Sequence, residues 1–398
     1  MSTHGTLTTD DRSVEGGKRK TVDHRDAAWI YSRNPHAEVW RRIMELCNED
    51  SALEAIIRLH GEPGKHRDNF RKQARHLHGA LLQARDYFRA AEESTLATSP
   101  NHLYYGMASL ATAMMLLHGD GRYALDALRQ RATNRRHGFT FACGCNEIAA
   151  QKGAGLLAAG MVHLDDTGHF QNWSQVVPRA EPLVIRVMEV TGAATLTSVG
   201  NFSQAVVGPT ARTQSILSTL QLLPDFAVDL RHLEPRSGAS LMKVSVSRTT
   251  NDIVQDFIVQ STDQVDLFMD TFGIPASHSH CMDELHRGAT GAIVKVTYPR
   301  TVRVPFRIPD IRGTIDHGYV GYAIPLTQPE FADAYRAAFG LSMLSRYYQD
   351  LWTASLRVRS QTAHLAERFV ELYCEKAPRL ALSYLCNRVV VVSSERFA

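Results

Sequence analysis

The sequence predicts an α+β protein with a helical N-terminal domain, a β-rich middle and a helical C-terminal bundle, and three observations predict it. Between residues 64 and 94, Phe70, Ala74, Leu77, Leu81, Ala84 and Phe88 recur at spacings of four and three, the signature of a helix with one buried face. Between residues 182 and 324 lie LVIRVMEV, MKVSVSR, DFIVQ, AIVKVTY and TVRVPF, separated by Gly, Pro, Asn and Asp, a pattern of short strands and turns. From about residue 328 to 359, Phe331, Tyr335, Ala338, Leu341, Leu344, Tyr348 and Trp352 restore the helical period.

In chain order, residues 1–26 are polar and poor in large apolar groups, so they are expected to form a tail that buries too little surface to offset the entropy of ordering. Residues 27–165 are read as the helical domain. A capping box is expected at Ser51 with Glu54, and Ser99-Pro100 should open the next helix. That helix, residues 100–117, is apolar on nearly every side and should sit at the centre of the core. FTFAC, beginning at Phe139, fits a short strand, whereas residues 148–162 are apolar but of undecided type. Residues 166–325 are assigned to the β-rich domain, with ILSTLQLL at 216–223 as a helix inside it. Residues 326–398 form the C-terminal bundle: a capping box at Thr327 with Glu330, a helix to about residue 359, two shorter helices, and VVVVSS as a closing strand.

Forty-four Lys and Arg against 41 Asp and Glu leave a net charge of only +3 over 398 residues. Any site for a polyanion must therefore be local. The chain starts without an apolar signal core, its six cysteines are scattered, and no apolar run reaches the ~20 residues that cross a bilayer. A cytoplasmic location and no membrane partner are expected. Walker A, G-x-G-x-x-G, G-x-S-x-G and H-E-x-x-H patterns do not occur, so the ATPase, Rossmann, serine-hydrolase and zincin readings lack support.

Basic residues are concentrated in two places. Residues 58–89 hold eight Lys or Arg against three acidic residues, and residues 122–137 hold five against one. On the helix of 64–94, Arg67, Arg71, Arg75, His78, Arg85 and Arg89 fall about a quarter turn from the apolar seam, forming a stripe that could hold the phosphates of a nucleic acid or nucleotide. Arg135 and Arg136 extend the second cluster. The alternative is a solvated face or a contact with an acidic protein partner. Arg346 lies in an apolar helical run, where an unpaired guanidinium is costly; it is expected to meet a carboxylate in a structural ion pair or, alternatively, to anchor a phosphate.

HSHCMDELH places His278, His280, Cys281, Asp283 and His286 within one short segment, a group that could supply zinc ligands although its spacing matches no common zinc module. HLDDTGH, with His163, Asp165, Asp166 and His169, offers the same donors and reads more simply as a turn. Cys143 and Cys145 form C-x-C rather than C-x-x-C, which favours burial on one strand face over redox pairing. No cofactor is assigned.

Four stretches taken together resemble the YaaC-like family of bacterial proteins: LYYGMASLATAMMLLHG at 103–119, RRHGFTF at 135–141 with QKGAGLL at 151–157, ILSTLQLLPDF at 216–226, and FGLSMLSRYYQDLW at 339–352. The resemblance implies a bacterial cytosolic protein and carries no catalytic signature. The N-terminal helices are also similar to HEPN helical domains, some of which are ribonucleases using an Arg and a His four to six residues apart and serve in bacterial defence. That similarity nominates Arg131 and His137 as catalytic residues, with Arg71 and His76 as a second pair.

The leading expectation is a non-enzymatic binding or regulatory protein, in the setting of a bacterial defence assembly, that engages nucleic acid, a nucleotide or a protein partner through its basic helices. A metal-independent ribonuclease is the first alternative. A structural homo-oligomer is the second, because the apolar face of residues 331–352 is wider than one seam requires.

Overall fold

The computed structural model describes residues 28–61, 67–130, 136–177, 212–226, 330–387 and 390–393, with Gly64, Leu230 and strands in 182–201, 240–259, 279–299 and 321–323. Helix α1 (Pro35–Glu45) starts at Asn34, whose side chain accepts from the Ala37 amide. Helix α2 (Glu49–His60) starts at Asn48, whose Oδ1 accepts from the Asp50 and Ser51 amides. The expected box at Ser51 is thus displaced: Asn48 satisfies the first-turn donors, and Ser51 lies inside the helix. The long amphipathic segment becomes α3 (Arg67–Glu93), which buries Phe70, Ala74, Leu77, Leu81, Ala84 and Phe88 as its period requires.

Helix α4 (Ser99–His118) is the centre of the molecule. Its apolar residues lie on every side, so no orientation leaves a hydrated face, and Leu103, Tyr104, Met107, Leu110, Met114 and Leu117 are all buried. Each such side chain contributes about 1.5–3 kcal/mol when removed from water. The short connection after α3 turns α4 back along it, and Gly106 lets Phe88 lie against the α4 backbone: a Cβ there would be 2.8 Å from the ring.

After α5 (Leu125–Gln130), the chain builds an antiparallel sheet from β2 (Phe139–Cys143), β3 (Gly160–Leu164) and β6 (Thr213–Ser215), in the order β2-β3-β6. The undecided stretch of 148–162 resolves into α6 (Glu147–Ala150), α7 (Gly155–Ala159) and most of β3. Glycines punctuate it, so neither the helical nor the strand period runs its whole length. Helix α8 (His169–Val176) packs on α4. Strands β4 (Pro182–Met188) and β5 (Thr195–Asn201) form a hairpin. Helix α9 (Ile216–Gln221) follows β6 and is succeeded by a 3-10 turn at Pro224–Phe226.

Of the expected middle runs, LVIRVMEV gives β4, and MKVSVSR, DFIVQ and AIVKVTY coincide with β8 (Val244–Arg248), β9 (Asp252–Val259) and β11 (Ala292–Pro299); β7 (Ser240–Met242), β10 (Ser279–Met282) and β12 (Gly321–Ala323) are further short strands. Four of them form an antiparallel sheet in the order β10-β11-β9-β8, and β7 pairs with β12. TVRVPF and Thr327 lie outside the described residues.

The C-terminal part contains α10 (Glu330–Tyr347), α11 (Gln349–Arg357) and α12 (Gln361–Leu385), then β13 (Val390–Ser393). The expected single helix to residue 359 breaks at Tyr348. Instead of two shorter helices, one helix of 25 residues follows α11, with Pro378 accommodated inside it. Strand β13 pairs in parallel with β1 (Ala28–Tyr31), joining the two ends of the described chain.

Helix α10 lies between α4 and the β2-β3-β6 sheet. Gly340 permits that close approach, since a Cβ would be 2.6 Å from Ile216 Cγ1 and 2.9 Å from Val162 Cγ2. Arg336, 1% exposed, ties the helix to the sheet by donating to Gln214 Oε1 and to the carbonyls of Val162 and Arg212, each at 2.8 Å. Burial lowers its pKa to about 10, and Asp333 acts in the opposite direction.

One hydrophobic cluster runs from Val39 to Val392 and includes Phe170, Trp173, Ile216 and Leu220. The N- and C-terminal helices therefore share a core, and α8 and α9, on the β side of the boundary drawn at residue 166, belong to it. The broad apolar face of α10 is consumed within the chain, almost every residue from Glu330 to Ser345 being buried, so it does not call for a second copy.

A buried charge cluster fastens α12 to this core. Lys376 pairs with Asp225 and Glu330, and Tyr373 donates to Glu330 at 2.9 Å. Burial works against the Lys376 charge, but the two carboxylates outweigh it and hold its pKa above the ordinary value. Removing the ammonium strands two carboxylates away from water. Lys376→Met is therefore expected to lower stability in urea unfolding at pH 7 by about 3–5 kcal/mol, the usual cost of breaking a buried pair from one side.

Candidate functional site

The basic stripe of α3 forms as its spacing requires. Arg67, Arg71, Arg75, Arg85 and Arg89 are all exposed, as is His78. Arg71 and Arg75 have only long contacts, 3.9 Å to Asp68 and 3.5 Å to Glu49. Among the described residues, no carboxylate lies within ion-pair distance of Arg67, Arg85 or Arg89. Most of the stripe's charge is thus left to solvent or to a ligand.

The second feature is a histidine–tyrosine centre where α4, α8 and α10 meet. It depends on a pair of glycines. Gly138 follows His137 with φ +91°, and Gly168 precedes His169 with φ +147°. Both are left-handed values that favour glycine, and a Cβ on Gly168 would collide with the Gly138 backbone. The two loops therefore touch. The His169 and Phe170 amides donate to the carbonyls of Arg136 and His137 at 2.9 and 3.2 Å, and Gln171 Nε2 donates to the Gly138 carbonyl at 2.9 Å. Both histidines are thereby held beside α4.

Polar groups are connected through the centre. His137 Nδ1 lies 2.6 Å from the Tyr104 hydroxyl. Tyr104 stacks on Tyr335, with ring centroids 5.6 Å apart and an interplanar angle of 23°, and each hydroxyl affects the ionisation of the other. The Tyr335 hydroxyl is 3.0 Å from His169 Nδ1, and His169 Nε2 is 2.8 Å from Thr112 Oγ1. Thr112 donates its own proton to the Ala108 carbonyl at 2.9 Å, so it can only accept from His169. This assigns Nε2–H to His169 and leaves Nδ1 to accept from Tyr335.

Burial dominates the electrostatics. It pushes both tyrosine hydroxyls well above their ordinary range. It lowers His169 to about 4, with a smaller contribution from His137, and it lowers His137, with help from the Arg346 charge. Both imidazoles are consequently neutral at pH 7, and His137 keeps an exposed edge. A neutral, solvent-facing imidazole backed by a tyrosine can accept or pass a proton near neutrality.

Arg346 completes the site. It is half-buried, yet among the described residues its guanidinium meets no carboxylate: it donates to the Tyr105 and Tyr347 hydroxyls, each at 2.9 Å, and lies over both rings, 5.6 and 4.8 Å from their centroids. The expected structural ion pair is replaced by an aromatic cradle, which tolerates a weakly hydrated guanidinium.

Of the residues singled out in the sequence, His137 lies in this centre, and Arg346 lies near enough for its charge to lower the His137 pKa. Arg131 and Arg135 lie outside the described residues, and Arg136 is exposed beside His137. His76 accepts from the Leu125 amide at 3.0 Å and serves the packing of α5. His278 and His286 also lie outside the described residues; for His280 and Cys281 only the backbone register is described, opposite Lys295 and Val294.

The other histidine-rich segment separates in space. His163 contacts Thr213 Oγ1 at 2.7 Å, Asp166 pairs with Arg212 at 2.8 Å, and His169 turns inward. Among the described residues no group of three or more metal-binding side chains gathers. Cys145 lies beyond the end of β2, so the two cysteines do not share that strand. Among the described residues no helix is long and apolar enough to cross a membrane.

Fold and site define a helix-centred α+β protein with a polar centre at the junction of its N- and C-terminal helices. The family model of the YaaC-like Protein matches residues 48–385, and the chain belongs to that family. No curated protein and no solved structure matches it.

The His169 shift has a fixed sign. Between about pH 6.5 and 4 the unfolded chain takes up a proton that the folded state refuses, so this contribution to stability is complete above 6.5 and is lost as pH falls. His169→Gln should flatten that acid limb, seen as a smaller difference between urea midpoints at pH 7 and pH 4.5 than in the parent.

Proposed function

We propose that the protein is a binding or regulatory component, in the setting of a bacterial defence assembly, that engages nucleic acid through phosphates on the arginine face of α3. The observation that carries this reading is the unneutralised stripe itself. Five exposed arginines follow one face of an unbroken helix, and three of them have no carboxylate within reach among the described residues. From Arg67 to Arg89 the stripe extends roughly 33 Å at 1.5 Å per residue. A rod of repeated guanidiniums suits a ligand whose charge also repeats along its length.

A second reading, an RNA-cleaving enzyme acting without a metal, is favoured by His137. Its imidazole is neutral, reaches solvent and lies within the influence of the Arg346 charge, which supplies a proton acceptor and a cation for phosphate chemistry. His137→Ala distinguishes the readings: loss of RNA cleavage with an unchanged melting curve supports the enzyme, and unchanged processing removes it.

For the binding reading, replacing Arg67, Arg71, Arg75, Arg85 and Arg89 together by Gln should weaken binding of a labelled 30-mer in fluorescence anisotropy at least tenfold. It should also lower the slope of log K against log salt by about one for each phosphate contact removed. Unchanged affinity and slope would reject this face as the nucleic-acid surface.

A further inference from the structure

Arg346 belongs to an aromatic ladder separate from the α3 stripe. Tyr87 stacks on Tyr105, with centroids 5.4 Å apart and an interplanar angle of 26°. Arg346 lies over Tyr105 and also over Tyr347. Tyr87 is on α3, but on the flank opposite the arginines: position 87 is two residues from both 85 and 89, close to a half turn from each. The ladder therefore runs over the junction of α3, α4 and α10.

Two features remain unsatisfied at its outer end. Tyr347 is the last residue of α10 and is 62% exposed, among the few large hydrophobic side chains of the described residues left in water. An exposed aromatic beside an ordered guanidinium costs apolar hydration that a flat ring stacked on it would remove. Arg346 has the second. A guanidinium carries five N–H donors, and the structure commits two, to Tyr105 and Tyr347. With Nη1 bonded to the Tyr105 hydroxyl and Nη2 to the Tyr347 hydroxyl, the guanidinium plane is fixed, and the three remaining N–H donors suit the oxygens of a phosphate. Among the described residues, no acidic side chain within ion-pair distance competes for them.

We propose that Arg346 and Tyr347, braced by Tyr105 and Tyr87, form a site for a nucleoside monophosphate unit, with phosphate on the Arg346 fork and the base stacked on the Tyr347 ring. The unit is either a free nucleotide or the phosphorylated end of a strand, since both present a phosphate one sugar away from a flat heterocycle. The site is independent of the α3 stripe and takes one nucleotide, where the stripe takes a repeated backbone.

The test is isothermal titration of the full-length protein with adenosine 5′-monophosphate, with adenosine and inorganic phosphate titrated separately. Saturable binding of the nucleotide, tighter than either part alone, is expected. Tyr347→Ala changes an exposed side chain and should weaken it about tenfold, the usual effect of losing one base–aromatic stack. Arg346→Lys keeps the charge but loses the fork, and should also weaken it about tenfold. The five-fold Gln variant of the α3 stripe should bind the mononucleotide like the parent, so loss of long-strand binding and loss of this site read out separately.

Paired oligonucleotides with and without a 5′-phosphate identify the source. A preference for the phosphorylated strand that disappears in Arg346→Lys assigns the site to strand ends, and no preference with intact mononucleotide binding assigns it to free nucleotides. Absence of mononucleotide binding at millimolar concentration together with no end preference overturns the proposal, as does binding that Tyr347→Ala and Arg346→Lys leave unchanged.

Discussion

The structure depends on one constraint: α4 has no polar side. A helix apolar around its whole circumference must be enclosed, and enclosing it takes more surface than its sequence neighbours provide. Helix α3 covers one side, and α8, α10 and α12 cover others. The last two come from more than two hundred residues further along the chain. This requirement makes one core of the N- and C-terminal helices, and the parallel pairing of β1 with β13 closes it.

Enclosure also creates the polar problem that becomes the site. Tyr104 belongs to the buried helix, and its hydroxyl must find partners where water does not reach. His137, Tyr335, His169 and Thr112 supply them in sequence. Because each member's proton is set by its neighbour, the centre behaves as a unit, and burial holds its two histidines in the same neutral state. His137 and the half-buried Arg346 give the centre an edge that reaches solvent.

Charge is handled differently in three places. Lys376, sealed inside, is matched by carboxylates; Arg336 donates to carbonyls and an amide; the arginines of α3 are left largely unmatched among the described residues. Burial explains the difference. An unmatched cation is costly inside and cheap outside, so the exposed, unmatched arginines are where an anionic ligand gains most.

What the sequence by itself determined is what local periodicity encodes. The two faces of α3, the all-round apolarity of α4, the strand runs of the middle and the helical return after residue 330 depend on neighbours three, four or two positions away. Tertiary structure decided what depends on distant partners. Asn48 outcompeted Ser51 as a cap, glycines cut the stretch around residue 155 into short pieces, and the segment expected to give two helices after α11 stayed one through Pro378. The same holds for the site. His137 and Arg346 were legible as chemically able residues, whereas Tyr104, Tyr335, His169 and Thr112 read as core or turn. They come from three separate segments, α4, α8 and α10, and only packing around α4 sets their separations. The glycines of His137-Gly138 and Gly168-His169 were the one local sign, since they mark loops able to approach closely, but no period in the sequence says that the two loops meet.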